Sequence, residues 1–270
     1  MAENAESLWL KTARKPMYWV MMASICATVL LAALLIVGQF FFDLDTNMRD
    51  FLSPSDAPLV MATMIAGAVA TLSASVYLSD TCGIIEQQPS GFFDIVSLIC
   101  SRVSMIGITG VVLVMLFEVV SRYVFEKPTL WANELSLWMA GFIFLLAGLY
   151  AMQQRSHIRI YVVYDLFPRW LQKLSDITSV LLIWVFTFML IWGGYNEARD
   201  KFLRWETFGT AWDPPLPATI KPAILIVLAL VAIQALSNLI ADWNKMPEHH
   251  SPLDDIDEVE IEDIRKSIKE

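Results

Sequence analysis

Long apolar runs with few or no charged side chains dominate the pattern of this chain. Crossing a hydrocarbon core about 30 Å thick takes roughly 17 to 25 residues of α-helix. Six runs meet that length: Met17–Phe42, Pro58–Leu78, about Val103–Phe125, about Leu130–Met152, Ile177–Gly194 and Pro222–Ala241. Backbone polar groups in lipid must bond within their own element, and these runs are too long for barrel strands. The pattern therefore predicts an all-α integral membrane protein with six transmembrane helices.

Two stretches between the predicted spans mix apolar and charged residues, as helices lying along a membrane surface do. Ile158–Leu174 combines large side chains such as Trp170 with basic ones. Tyr195–Trp205 places Glu197 and Lys201 four residues apart, so that both lie on one polar face. We expect short interfacial helices here that act as connectors.

Composition supports membrane insertion and limits the possible partners. Charged residues make up 17% of the chain, against about 25% in soluble domains, and the mean hydropathy is +0.54. Much of the net charge of −9 comes from acidic residues between Asp254 and Asp263. Such a segment is typical of a solvated tail, and it argues against a nucleic-acid partner.

Basic residues in the loops predict the orientation, because Lys and Arg stay on the cytoplasmic side. The segment before the first span is basic, and so is the loop Gln153–Asp176. The first loop, Asp43–Ala57, is mainly acidic. We therefore expect both termini in the cytoplasm. The loop Asp80–Asp94 is an exception, since it should lie inside yet has no basic residue; Arg102 stands just beyond it.

Residue types that carry catalysis or bind cofactors do not form the required patterns. The three cysteines lack metal-ligand spacing and are expected to be unpaired structural thiols. The three histidines fall outside the spans, which excludes a membrane-embedded haem held by imidazoles. There is no phosphate-binding loop or HExxH pair. We expect no enzyme and no catalytic, cofactor or metal site in this chain.

Three ionisable residues lie in or at the predicted spans, where a charge costs about 2.5 to 3.5 kcal/mol on insertion scales. Glu118 and Arg122 are four residues apart and can neutralise each other on one helix face. Glu134 begins the next span and is placed to meet Arg122 or Lys127 across the short turn. The two readings are a path for a solute or ion and a buried network that fixes helices or a subunit contact. So few charges favour the second.

The central motifs resemble those of a known family. Ser121–Phe125 reads SRYVF and is followed by Pro128, Trp131 and Glu134-Leu135, and then by Arg155 and His157-Ile158-Arg159. In order and spacing, this resembles the small membrane subunit, the DctQ type, of tripartite ATP-independent periplasmic (TRAP) transporters. The likeness extends from about Phe92 to Trp243. Two features differ: Ile160 and Tyr161 stand where the family often has an Asp, and two helices precede the four-helix core.

The resemblance implies a division of the chain into four parts. Residues 1–16 are a cytoplasmic N-terminus, 17–84 a two-helix addition, 85–245 the DctQ-like core and 246–270 an acidic cytoplasmic tail. Glu118, Arg122, Trp131 and Glu134 are expected to be structural or subunit-interface residues. Arg155, His157, Arg159 and Trp170 are expected at the inner face, in contact with lipid or a partner.

The resemblance also implies partners and a location. A large membrane subunit, the DctM type, would hold the sodium and solute sites, and a periplasmic protein would capture the solute. The chain would lie in the bacterial inner membrane and take part in sodium-coupled uptake of an organic acid. The alternative is a self-contained small carrier or a membrane anchor for another complex.

Overall fold

The computed structural model describes residues 7–42, 46–83, 86–155, 164 and 167–244, and this part of the chain is helical with connecting loops. Its six long helices are α1 (Arg14–Phe41), α2 (Pro58–Leu78), α3 (Phe92–Tyr123), α4 (Ala132–Gln153), α5 (Arg169–Leu203) and α6 (Leu216–Asp242). Each is long and apolar enough to cross a membrane. The predicted all-α class and the six spans are confirmed.

Two helices extend well beyond the predicted spans. α3 begins at Phe92 rather than near Val103, and α5 runs from Arg169 to Leu203. At 1.5 Å per residue, both helices are about 50 Å long and exceed the thickness of the hydrocarbon core. Tyr195–Trp205, expected as a separate interfacial helix, instead continues α5 as far as Leu203. Most of Ile158–Leu174 lies outside the described residues, and its end, from Arg169, already belongs to α5.

The helices pack as a row rather than as a closed bundle. α1 packs mainly against α2, α2 also against α3, α3 against α4, α4 against α6, and α6 against α5. Glycines allow close approach in the centre of the row. A Cβ added at Gly141 of α4 would lie 2.8 Å from Ile220 Cδ1 of α6, and one at Gly107 of α3 would lie 3.0 Å from Ile143 Cγ1 of α4.

The alternation of six helices places their ends on two sides. We call the side where α1 begins the N-terminal side. On this side α3 and α5 also begin, and α2, α4 and α6 end. Contacts between distant segments fit this arrangement. On the N-terminal side the Leu8 N–H donates to Asp80 O at 3.3 Å. On the opposite side Trp212 Nε1 donates to Met48 O at 2.9 Å, so the α5–α6 loop meets the α1–α2 loop.

Candidate functional site

Glu118 organises the turn between α3 and α4 on the opposite side. It lies in the last turns of α3, and only 2% of its surface is exposed. Arg122 Nε donates to Glu118 Oε1 at 3.0 Å, which confirms the predicted pair four residues apart. The backbone N–H of Thr129 donates to Oε2 at 3.0 Å, and the Thr129 hydroxyl donates to the same oxygen. The carboxylate therefore ties the end of α3 to the chain that leads into α4.

Glu134 does not join that network, contrary to the predicted contact with Arg122 or Lys127. Its carboxylate accepts a 2.7 Å hydrogen bond from the Thr210 hydroxyl and a 3.2 Å bond from the Asp213 N–H. Both donors belong to the loop between α5 and α6. The first turn of α4 projects toward this loop, so that Glu134 faces it rather than Arg122. Glu118 and Glu134 therefore bind different parts of the chain and do not form one network.

Contacts between aromatic rings also join helices on the opposite side. Trp131 stacks on Phe117, with ring centroids 5.8 Å apart, where α4 begins beside α3. Trp212 is 5% exposed and meets Trp138 edge to face at 6.4 Å. Trp138 Nε1 in turn donates to the Thr219 hydroxyl of α6 at 2.8 Å. Trp131 therefore contacts α3 where α4 begins, whereas Glu134 contacts the loop between α5 and α6.

Arg155 is drawn into the protein on the N-terminal side. Its Nη2 donates to Asp242 Oδ1 at 2.9 Å, and its Nε donates to Asp242 Oδ2. Its Nη1 donates to Gln87 Oε1 in the α2–α3 loop. These bonds tie the end of α4 to the end of α6. The expected contact of Arg155 with lipid or a partner at the inner face stays a prediction.

The other three predicted inner-face residues have different outcomes. His157 and Arg159 lie outside the described residues. Trp170 lies in the first turn of α5 and is 67% exposed. Close to it, Lys173 Nζ lies 4.5 Å from the centroid of the Trp243 ring, a cation–π contact that links the start of α5 to the end of α6.

A partly buried ion pair lies in the loop Asp80–Asp94, which has no basic residue of its own. Arg102 reaches into that loop from α3 and donates to both oxygens of Glu86, at 2.9 and 2.6 Å. Tyr150 of α4 donates to Glu86 Oε1 at 2.7 Å. Burial acts to raise the pKa of Glu86, but these donors and the Gly83 N–H lower it to about 2. The sequence pattern drew attention to Arg102 but did not predict this triad, because Glu86 is 16 residues from Arg102 and 64 residues from Tyr150 along the chain.

Asp80 provides a second buried carboxylate in the same loop. It is fully buried, and its Oδ1 accepts hydrogen bonds from the N–H groups of Trp9 and Leu10, at 2.9 and 2.8 Å. Arg14 Nη1 lies 3.4 Å from Oδ2. This charge fixes the segment before α1 against the end of α2, so the basic N-terminus supplies part of the neutralisation that the loop lacks.

Polar side chains also join α3, α4 and α6 in the interior near the N-terminal side. Gln234 Nε2 donates to Asp94 Oδ1 at 2.6 Å and to Asn238 Oδ1 at 2.9 Å. Asn238 Nδ2 donates to Met152 O at 2.6 Å. Within the described residues, no group of three His, Cys, Asp or Glu side chains is arranged to hold a metal ion. The charged and polar groups at both ends bond mainly to one another and hold helices together.

These features define a multi-pass membrane protein whose described charged groups tie one helix to another. Residues 111–245, half of the chain, match the family described as "Tripartite ATP-independent periplasmic transporters, DctQ component". The chain belongs to this family, as the motif order predicted. The matched region takes in the last part of α3 and all of α4 to α6, including Glu118, Arg122, Glu134 and Arg155.

Curated relatives match parts of the chain at low identity. The chain is 25% identical over 122 residues, 45% of its length, to the sialic acid TRAP transporter permease protein SiaT of Haemophilus influenzae. It is 27% identical over 110 residues, 38% of its length, to the C4-dicarboxylate TRAP transporter small permease protein DctQ of Vibrio cholerae. The matches span 20% and 44% of those relatives. No solved structure matches the chain significantly.

Proposed function

We propose that this chain is the non-enzymatic small membrane subunit of a TRAP transporter that takes up an organic acid with sodium. The family match over residues 111–245 carries the proposal. The two relatives are named for sialic acid and for C4-dicarboxylates, both of which are carboxylic acids. An anionic carboxylate is therefore the substrate class that we infer for the complex.

We place the sodium and solute sites on a large partner subunit of the DctM type. The polar groups described above are used in contacts within the chain, which supports a scaffold role. The match covers only a fifth of SiaT, so four fifths of that permease lies outside it. In the complex proposed for this chain, the large partner would correspond to that remaining part of SiaT. A periplasmic solute-binding protein would deliver the solute.

Orientation belongs to the same proposal. Both termini lie in the cytoplasm, so the N-terminal side faces the cytoplasm and the Glu118 and Glu134 contacts face the periplasm. The basic segment before α1 supports this orientation. We further propose that the α1–α2 pair is an addition to a four-helix core that begins near residue 85.

Co-purification tests the assignment. The tagged full chain would be co-expressed with a candidate large subunit and extracted in a mild detergent. We expect the two chains to elute together in size-exclusion chromatography. Failure to retain any large membrane partner would contradict the scaffold role.

Transport separates this proposal from the self-contained carrier. Proteoliposomes with the chain alone should not accumulate a labelled dicarboxylate or sialic acid under a sodium gradient. Addition of the large subunit and the solute-binding protein should restore uptake. Uptake by the chain alone would favour the carrier.

A further inference from the structure

The edge helix α5 packs against the rest of the row on one side only. Its contacts are mainly with α6, and within the span Ile177–Gly194 only Thr187 is buried. A Cβ added at Gly194, seven residues from Thr187 and on the same side, would lie 3.4 Å from Leu225 Cδ2 of α6. Most of the circumference of the α5 span is therefore not covered by the described part of the chain.

Large side chains form a continuous line on one face of that uncovered surface. Their spacing of three or four residues places them on one helix face, and the line consists of Leu181, Trp184, Phe188, Trp192 and Tyr195. We call these five residues the α5 stripe. They are between 43% and 76% exposed, and the rings of Phe188 and Trp192 stack with centroids 6.0 Å apart. Four of the five are aromatic, and aromatic residues are enriched at protein interfaces.

Trp184 lies deep within the span, although indole rings in membrane proteins prefer the headgroup boundary. At 1.5 Å per residue, it is about 10 Å from Ile177 and about 15 Å from Gly194. Its indole N–H donates to no acceptor in the described part of the chain, and acyl chains offer none. Trp138 also lies within a span, but its N–H donates to Thr219. An acceptor on another protein would satisfy Trp184 in the same way.

The opposite edge of the row, α1, has the pattern of a helix that faces lipid. Its aromatic residues stand near its two ends, Tyr18 and Trp19 at the start and Phe40 and Phe41 at the end, with no aromatic residue between Trp19 and Phe40. Aromatic belts at both headgroup boundaries are typical of spans in contact with lipid. α1 also lies outside residues 111–245, whereas all of α5 lies inside that family match.

We propose that the α5 stripe binds the membrane-embedded part of the large subunit, and that Trp184 donates its N–H to an acceptor on that partner. This inference rests on the proposed function, which supplies the partner. A large subunit that pairs with members of the DctQ family should contact a surface inside the matched region, and the stripe lies there. The α1 edge faces lipid.

Site-specific photocrosslinking tests which face of α5 meets the large subunit. p-Benzoylphenylalanine is placed at Phe188 of the stripe in one full-length chain and at Phe186 in the matched control. These two positions are 60% and 59% exposed and point to opposite sides of the helix. A third chain carries the probe at Leu30 of α1, which is 65% exposed. We expect a crosslink to the co-expressed large subunit from Phe188 but not from Phe186 or Leu30.

The outcomes separate this inference from the proposed function. If the wild-type chain retains no large subunit, the proposed function fails. If the wild-type chain retains the large subunit but Phe188 gives no crosslink to it, only the α5 surface is wrong. Crosslinks of equal yield from Phe186 or Leu30 would overturn the inference too. So would a crosslink from Phe188 to a second copy of this chain in place of the large subunit.

A pair of tryptophan variants tests the hydrogen bond of Trp184. W184F keeps an aromatic ring but removes the N–H, so it should bind the purified large subunit about two- to tenfold more weakly in a detergent titration. The unfolding temperature of the W184F chain alone should not change. W138F should show the reverse, because it loses the bond to Thr219 within the chain. Wild-type affinity in W184F, or a lowered unfolding temperature of that chain alone, would overturn the role of Trp184.

Discussion

Glu86 remains ionised although it is partly buried on the N-terminal side of the helix row. Desolvation by burial acts to raise its pKa, yet hydrogen bonds from Arg102, the Gly83 N–H and Tyr150 lower it from 4.5 to about 2. A carboxylate whose pKa is depressed in the folded state stabilises the fold above its unfolded pKa. That contribution is lost as the pH falls through the folded pKa. Glu86 therefore loses its stabilising contribution between about pH 4.5 and pH 2.

We expect Glu86→Gln to lower the thermal unfolding temperature at neutral pH, because the amide leaves Arg102 without its carboxylate partner. The difference from wild type should be largest above about pH 5 and should shrink as the pH falls through the window set by the pKa of Glu86. Unfolding in detergent, followed by tryptophan fluorescence at several pH values, measures it. A difference that stays constant down to pH 3 would contradict the depressed pKa. Glu126→Gln, at an exposed position, is the matched control.

At the scale of single helices, hydropathy predicted which segments span the membrane but not where every helix ends. Pro58–Leu78 was predicted to the residue, because proline begins the helix and no charge lies within it. α3 and α5 were predicted too short, because their ends carry charges such as Arg102 and Glu197 that a search for apolar runs excludes. Arg102 is buried against Glu86, and Glu197 lies in a network with Lys201 and Lys221.

The contacts of the candidate residues were only partly predictable. The Glu118–Arg122 pair follows from helical spacing, which fixes neighbours four residues apart. The partners of Glu134 and Arg155 lie 76 and 87 residues away, at Thr210 and Asp242. Such contacts depend on which helices are neighbours, and a single sequence does not specify that order.

Helix packing makes a testable contrast between two glycines of α4. We expect Gly141→Leu to lower the unfolding temperature of the solubilised chain by several degrees, because the side chain would push Ile220 of α6 away. Gly148→Leu should leave that temperature unchanged, since no atom of a neighbouring helix lies within 4 Å of a Cβ there. Equal losses in the two variants would contradict the assigned α4–α6 contact.

For the whole molecule, the helix pair α1–α2 is attached to the rest through contacts on both sides. On the N-terminal side Arg102 of α3 donates to Thr81 O, just beyond α2, at 3.0 Å, and Met48 meets Trp212 on the opposite side. The family match begins only at residue 111, so the contact between Arg102 and Thr81 lies outside it. The attachment of the pair is therefore a feature of this chain that the match does not describe.

We expect Asp80→Ala to speed amide hydrogen exchange at Trp9 and Leu10 about tenfold, because both N–H groups lose their acceptor. Exchange within α4 and α6 should stay at the wild-type rate. Hydrogen–deuterium exchange with mass spectrometry reads out both regions. Asp56→Ala, an exposed aspartate on the opposite side, controls for the loss of a charge. Unchanged protection of Trp9 and Leu10 would contradict the role of Asp80.

The row order, in which α6 separates α4 from α5, has a consequence for biosynthesis. A ribosome that adds about 5 to 20 residues per second needs several seconds to pass from Leu203 to Asp242. During that time α5 is complete, but the helix that it packs against is not. Its central segment, Ile177–Gly194, has no charged residue and is mostly exposed in the finished fold. α5 is thus suited to enter the bilayer alone, before α6 is inserted and packs against it.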